Sequence, residues 1–346
     1  MLDNSLPLFV HASNITGKGR GAYELIKSLI PAIESTQIYR KVTFILPSNS
    51  LLIGDVKHGA VNIKKRLLPN SLSRVFECLI RFKTESTGVL LVMGDLPLVY
   101  DNVQILYIHN SHLVDKIDNV KSYISAYILK RNLKFVNLVV VQTETMKSKF
   151  LAKYKSFSGE CRVVSLPPPI WCIEHEFKKI VSAPGSPLRC FYPALDYPHK
   201  NHQLLGEFLK INRSLDFQFS LTVEDSVFPD LVHEAVNFLG KLSTDNILLN
   251  YEQSDVLLFL SKRESYGLPL VEAMSCGLLI LAPDLAYARE LCGDEAIYFD
   301  PDDIDSLHNA LILAKQRRDS GFTPNWDSQI NSLCKTWEEV VTKIIT

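Results

Sequence analysis

Two carboxylates, Glu264 and Glu272, are separated by seven residues in the stretch from Ser261 to Gly277. Between them stand Tyr266, Gly267, Leu268 and Pro269, and an apolar run, Val256 to Leu260, precedes them. Pro269 suits the first turn of a helix, because its φ is already helical and its missing N–H would have had no partner there. Gly277 suits the stop. The string therefore reads as a strand, a loop and a helix N-terminus, and such a terminus offers unpaired N–H groups and partial positive charge to an anion such as a diphosphate. Carboxylates only accept hydrogen bonds, so Glu264 and Glu272 do not bind the anion itself. They fit hydroxyls on either side of it, as the ribose and the sugar of a nucleotide sugar would supply.

The stretch resembles the E-x7-E signature of retaining, nucleotide-sugar-dependent glycosyltransferases of the GT-B fold, glycosyltransferase family four in particular. Glu264, Tyr266, Gly267, Leu268, Pro269, Glu272, Ala273, Met274 and Gly277 carry the match. The resemblance implies an α/β chain of two Rossmann-like domains with the active site in the cleft between them. It places an acceptor-binding domain at residues 1–170, a nucleotide-sugar-binding domain at 171–325, and a helix at 326–346 that crosses back to the first domain. A length of 346 residues suits two such domains.

Composition excludes other classes. A net charge of −1 argues against a general nucleic-acid binder. The seven cysteines are scattered, with no C-x-x-C pair and no Cys/His cluster, which fits buried thiols and gives no metal site. No signal-like N-terminus and no apolar run long enough to span a bilayer is present, so the expected location is cytoplasmic.

Elements that would position the chemistry can be read in order. An apolar run from Leu6 to His11 reads as a first strand, followed by Gly17, Gly19 and Gly21 and then a helical pattern from Tyr23 to Ile33. Glycines at such a turn let backbone approach a ligand; the resemblance assigns Gly17 and Gly19 to the donor. Further apolar runs at 41–46, 88–93, 104–108, 137–141 and 161–165 alternate with helical patterns, which predicts a parallel sheet whose ligands gather at the strand carboxyl ends. His109 lies at one of those ends, and the resemblance places a histidine there beside the sugar or acceptor. Pro167, Pro168 and Pro169 end the first half.

Two basic, partly apolar segments, 64–83 and 116–134, have two readings. Either their apolar sides pack as ordinary core and their lysines form a solvated face, or they lie on an anionic membrane surface. Relatives that use lipid-linked acceptors add weight to peripheral contact at the inner face of the cell membrane.

In the second half, Leu188 to Tyr192 and then His199, Lys200 and Asn201 resemble the first strand of the family's donor domain. The resemblance gives Lys200 the donor diphosphate. Where the family has a glycine-arginine pair this chain has Pro193 and Ala194, with Lys262 and Arg263 as replacement charges. The expected donor-binding set is Gly17, Gly19, Lys200, Glu264, Tyr266, Gly267, Leu268 and Glu272, with Glu264, Lys200 and His109 as catalytic residues. The donor, a UDP- or GDP-sugar, is a substrate; no cofactor and no metal is expected, because a lysine and a helix terminus can neutralise the leaving group. The expected acceptor is a saccharide or lipid-linked saccharide of bacterial surface polysaccharide or lipopolysaccharide synthesis, by analogy. The alternative reading is a catalytically silent GT-B subunit that binds a partner transferase.

Overall fold

The computed structural model describes residues 6–13, 15, 20–64, 70–115, 120–178, 180, 182–211, 216–228 and 231–346. The chain divides into two units, Met1–Pro167 with Cys334–Thr346, and Pro168–Leu333. The first boundary falls among the three prolines.

In unit 1, β1 (Leu8–His11), β2 (Val42–Pro47), β3 (Ala60–Lys64), β4 (Val89–Val92), β5 (Gln104–Tyr107), β6 (Leu138–Val141) and β7 (Glu160–Val163) form one parallel sheet in the order β3-β2-β1-β4-β5-β6-β7. Its central strands are buried along their whole length, as sheets covered on both faces require. The helices are α1 (Arg20–Thr36), α2 (Asn70–Leu79), α3 (Val120–Asn132) and α4 (Glu144–Lys153). Strand order reverses between β1 and β4, which pair with Leu8 opposite Val89. Ligands of such sheets bind outside the carboxyl ends at that reversal.

Unit 2 repeats the plan. Its elements are α5 (Ile170–Glu174), β8 (Leu188–Tyr192), α6 (His202–Ile211), β9 (Phe217–Leu221), β10 (Val236–Phe238), α7 (Thr244–Gln253), β11 (Val256–Leu258), α8 (Leu268–Ser275), β12 (Leu279–Pro283), α9 (Ala286–Cys292), β13 (Ile297–Phe299), α10 (Ile304–Asp319) and α11 (Asp327–Ser332). The parallel order β10-β9-β8-β11-β12-β13 reverses between β8 and β11. At the opposite end of those two strands, buried Asp255 binds Ser182 Oγ at 2.8 Å, the Arg189 amide at 2.9 Å and Arg318 at 3.1 Å, tying β8 to α10.

Three local features differ from the sequence reading or were absent from it. The single C-terminal helix is two, α11 and α12 (Trp337–Ile345). Trp326 donates from Nε1 to the Leu278 carbonyl in unit 2 at 2.9 Å, whereas α12 packs on α1 in unit 1, so one apolar period serves two surfaces. Thr336 caps α12, accepting from Glu339 N at 3.1 Å, and the Cys334 amide donates to Ser165 Oγ at 3.1 Å. Strand β3 was hidden because its edge position leaves Asn62 and Ile63 exposed, so no apolar run marks it.

The third is α2. Its apolar stripe, Leu72, Phe76, Leu79 and the following Ile80, is exposed, while Arg74 and Cys78 are buried. Arg74 is drawn inward by the Leu96 carbonyl and by Glu77, 3.1 Å away. Glu77 in turn holds buried His11 at 3.0 Å and Ser13 at 2.8 Å. An arginine buried with its partners fixes the helix rotation against the hydrophobic pattern.

Candidate functional site

In unit 2 the chain leaving β8 and the chain leaving β11 meet at the strand-order reversal. The first ends in a short helical turn, Pro198–Lys200, closed by Asn201 in the left-handed region at φ 56°. Asn201 tolerates that conformation, and its amide donates to the Pro301 carbonyl at 3.0 Å. The Tyr192 hydroxyl donates to the Lys200 carbonyl at 2.6 Å, and the Lys262 amide donates to the His199 carbonyl at 2.7 Å. The two loops are thereby locked together, and the Lys200 ammonium reaches the Glu264 carboxylate in a direct ion pair. Both side chains are mostly shielded from water, and Lys200 also lies 5.8 Å from the centre of the Phe259 ring.

The second loop is held from below. Ser261 is fully buried; its hydroxyl donates to the Arg263 carbonyl at 3.1 Å, and its carbonyl accepts from Tyr287. Helix α8 then starts at Gly267, whose φ of 99° suits no L side chain; an added Cβ would also stand 3.1 Å from Leu270 Cδ1. Leu268 and Pro269 form its first turn, and among the described residues no side chain caps it. A helix N-terminus without a side-chain cap leaves N–H groups that an anion can take. Tyr266, beneath it, is buried.

Glu272 lies one turn into α8, half-buried, and accepts from the hydroxyl of buried Tyr251 at 2.7 Å. Burial first, and the Glu272 charge second, push the Tyr251 phenol well up, so it remains a donor at any ordinary pH. The same holds for Tyr192 and Tyr287, where burial is reinforced by the charge of Glu264. Gly277, at φ 65°, ends the helix.

His109 belongs to unit 1, directly after β5. Its amide donates to Asp95 Oδ1 at 2.8 Å, and its Nδ1 lies 3.3 Å from the same oxygen, close but not aligned as a hydrogen bond. Asp95 follows β4 at φ 63°, a strained position for a non-glycine residue that aims its carboxylate at the end of β5. Gly17 and Gly19 lie outside the described residues. Gly21 opens α1 with nothing within 4 Å of where a Cβ would stand.

Residues 230–320 match the family described as Glycosyl transferases group 1. O-antigen chain mannosyltransferase B of Escherichia coli is 30% identical over 102 residues, 28% of this chain and 26% of that one. O-antigen chain mannosyltransferase RfbU of Salmonella typhimurium is 22% identical over 207 residues, 56% of this chain and 55% of its own. The chain thus spans about a quarter and about half of the lengths of these two curated relatives. The structure of WaaG, a glycosyltransferase involved in lipopolysaccharide biosynthesis, aligns at a TM-score of 0.67 and 12% identity over 98% of this chain and 99% of that one. The fold is GT-B.

Within this GT-B chain the family match takes in Glu264, Tyr266, Gly267, Leu268 and Glu272 but stops short of Lys200 and His109. Of the two replacement charges, Lys262 is exposed and paired with Asp302, whereas Arg263 is half-buried in the loop itself. Sequence reasoning missed Tyr192, Tyr251, Tyr287 and Asp95. The signal for Asp95 was a Gly-Asp turn closing an apolar run; the three tyrosines left no local signal, since their partners are 8 to 26 residues away.

Proposed function

We propose that the chain is a retaining glycosyltransferase of the family-four type that moves a hexosyl group from a nucleoside-diphosphate sugar to a saccharide or lipid-linked saccharide. Mannose is the sugar we favour, because the O-antigen relatives are named mannosyltransferases. The observation that carries the reading is the ion pair of Lys200 and Glu264 beside the uncapped N-terminus of α8, at the strand-order reversal of unit 2.

In this reading the donor diphosphate lies on the α8 N-terminus and takes the Lys200 ammonium as a hydrogen-bond donor. Glu264 accepts from sugar hydroxyls, and Glu272, oriented by Tyr251, accepts from the ribose. As the bond from the anomeric carbon to the diphosphate breaks, negative charge grows on the departing oxygen, and Lys200 and the helix terminus meet it without rearranging. Arg263 is the candidate for the charge that Ala194 lacks. Glu264 positions the sugar and need not attack it, so the acceptor oxygen can enter on the face the diphosphate leaves, keeping the anomeric configuration. His109, whose amide Asp95 holds, is assigned to the acceptor. No metal takes part in this scheme, and the enzyme acts in the cytoplasm.

The test is thermal stabilisation of the purified protein by a panel of UDP-, GDP-, ADP-, dTDP- and CMP-sugars, with and without a chelator, followed by NMR of the transfer product. A ligand bound only by the native state raises apparent stability. A selective shift that survives the chelator, with an anomeric configuration equal to the donor's, is the expected result. An inverted product would remove the retaining mechanism, and loss of the shift in chelator would remove metal independence. No shift and no transfer with any donor would leave the silent-subunit reading.

A further inference from the structure

A helix normally turns its apolar stripe to the core. The stripe of α2 points outward instead, and a cavity of about 240 Å³ remains over the edge of the unit 1 sheet. The pairing of β1, β2 and β3 sets Phe9 beside Thr43 and Ile45 beside Asn62, so these four side chains stand on one face of the sheet and floor the cavity. Glu77 of α2 and the chain leading from α2 towards β4, with Ile80, Phe82 and Lys83, enclose it. Phe82 is fixed there by its amide, which donates to the Val99 carbonyl at 2.8 Å, and by edge-on contact with the His11 ring at 5.3 Å. Thr43 is the second residue of β2, whereas His109 follows the carboxyl end of β5, so the cavity is not at the end of the sheet to which His109 belongs.

One group in this cavity is not accounted for by folding. Thr43 is 6% exposed, and its hydroxyl has no hydrogen-bond partner among the described residues. A covered parallel strand is ordinarily apolar on both faces, as Phe44 and Ile45 are, and burying a hydroxyl that bonds to nothing costs stability. The groups around it say what a partner must be. Asn62 is exposed and brings both a donor and an acceptor. Glu77 brings an acceptor whose charge is already met by Arg74. Arg81 pairs with Asp101 and Glu85 with Lys41, so of the charged side chains lining the cavity only Lys83 has no ion pair among the described residues. A cation would meet Lys83, and an anion would meet the Glu77 carboxylate. Mixed donors and acceptors beside Phe9, Ile45 and Phe82 fit a neutral ring whose edge carries hydroxyls and whose faces carry C–H groups. Pockets for drug-sized ligands run to about 300–1,000 Å³, so this volume suits a single such ring.

We propose that this cavity is a saccharide site that holds one neutral hexopyranose ring through the Thr43 hydroxyl and the Asn62 amide. It lies wholly in unit 1 and uses none of the residues assigned to the donor or the acceptor, so it is tested separately from the transferase reading.

The full chain, isotope-labelled in its isoleucine δ1 methyl groups, is titrated in NMR with the methyl α-pyranosides of mannose, glucose and galactose, and with glycerol as a control. Ile45 and Ile80 line the cavity and are the reporters, assigned through Ile45→Val and Ile80→Val. At least one hexoside is expected to shift both signals with a Kd of about 1 mM, the affinity of a ligand of this size. Thr43→Val keeps the shape and removes the hydroxyl. It should weaken binding about tenfold and melt no lower than the wild type, because the hydroxyl has no partner to lose. Asn62→Ala, at an exposed position, should weaken binding about threefold or more. Thermal stabilisation by nucleotide sugars should be unchanged in both variants, which separates this site from the donor residues. Shifts at other isoleucines with neither reporter moved would overturn the proposal, and so would undiminished affinity in the Thr43 variant or an equal response to glycerol. No shift with any of the three hexosides well above that Kd would overturn it too. If the Thr43 variant melts early, the wild-type reporters and Asn62→Ala carry the test.

Discussion

In the proposed function the Lys200–Glu264 pair has two jobs that cannot both be done by either residue alone: without donor the carboxylate occupies the ammonium, and with donor the diphosphate would compete for it. A charge-assisted hydrogen bond contributes about 1.5–3 kcal/mol, so Lys200→Ala should weaken binding of the nucleoside diphosphate about ten- to a hundredfold by calorimetry. An unchanged affinity would remove the diphosphate role. His202, beside it, gives a pH prediction. Its ring is buried between Tyr192 and Phe228, and neither nitrogen has a hydrogen-bond partner among the described residues. Burial first, and the Lys200 charge second, hold it down at about 4 against an ordinary 6.5. Between those values the folded chain binds fewer protons than the unfolded one, so stability rises with pH in that window and is lost as pH falls from 6.5 towards 4. The loss attributable to this ring is ~3 kcal/mol. His202→Phe keeps the stack and should flatten the dependence of urea-unfolding free energy on pH over that range; an unaltered slope would acquit the ring. What could be read at this scale was whatever depends on neighbours in sequence. Glu264, Glu272 and Lys200 stand in recognisable strings, but the phenol that steadies Glu272 is 21 residues away, and no local pattern announces it.

At the scale of elements, two glycines make opposite predictions. Gly267 starts α8 at φ 99° against Leu270, so Gly267→Ala should cost about 1–3 kcal/mol and disturb the start of α8. Gly21 stands in the first turn of α1 with open space around it, and Gly21→Ala should leave stability level or raise it by about 0.5–1 kcal/mol. Differential scanning calorimetry of the two variants separates the cases; equal melting temperatures would refute the strain assigned to Gly267. Most strands were legible because fully covered parallel strands are written as apolar runs. The exceptions are instructive. Edge strand β3 needs only one apolar neighbour strand, so its sequence carries no run. The rotation of α2 was illegible because periodicity reports which side is apolar, and here the buried Arg74–Glu77–His11 cluster, assembled from β1 and α2, decides which side faces in.

For the molecule as a whole, each unit has its own ionic or apolar fastening. Asp255 gathers two arginines and a serine in unit 2, and Asp255→Ala would leave Arg189 and Arg318 without their buried counter-charge. A loss of about 3–5 kcal/mol is expected in chemical denaturation, with nucleotide-sugar binding by the remaining folded protein preserved. A loss under 1 kcal/mol would mean that the arginines find other partners. A break at the prolines was read from the sequence and a return of the chain to the first unit was expected from the resemblance, but the point of that return, between Leu333 and Cys334, carries no local mark, since Trp326 to Ile344 keep one apolar period across it. That return sets an order of events during synthesis. Unit 2 is one unbroken stretch and can close as soon as it leaves the ribosome. Unit 1, although begun first, must hold the α12-facing side of α1 open to water until all of unit 2 has been made. The half of the chain translated first is therefore the half completed last, and in that interval chaperones would find it.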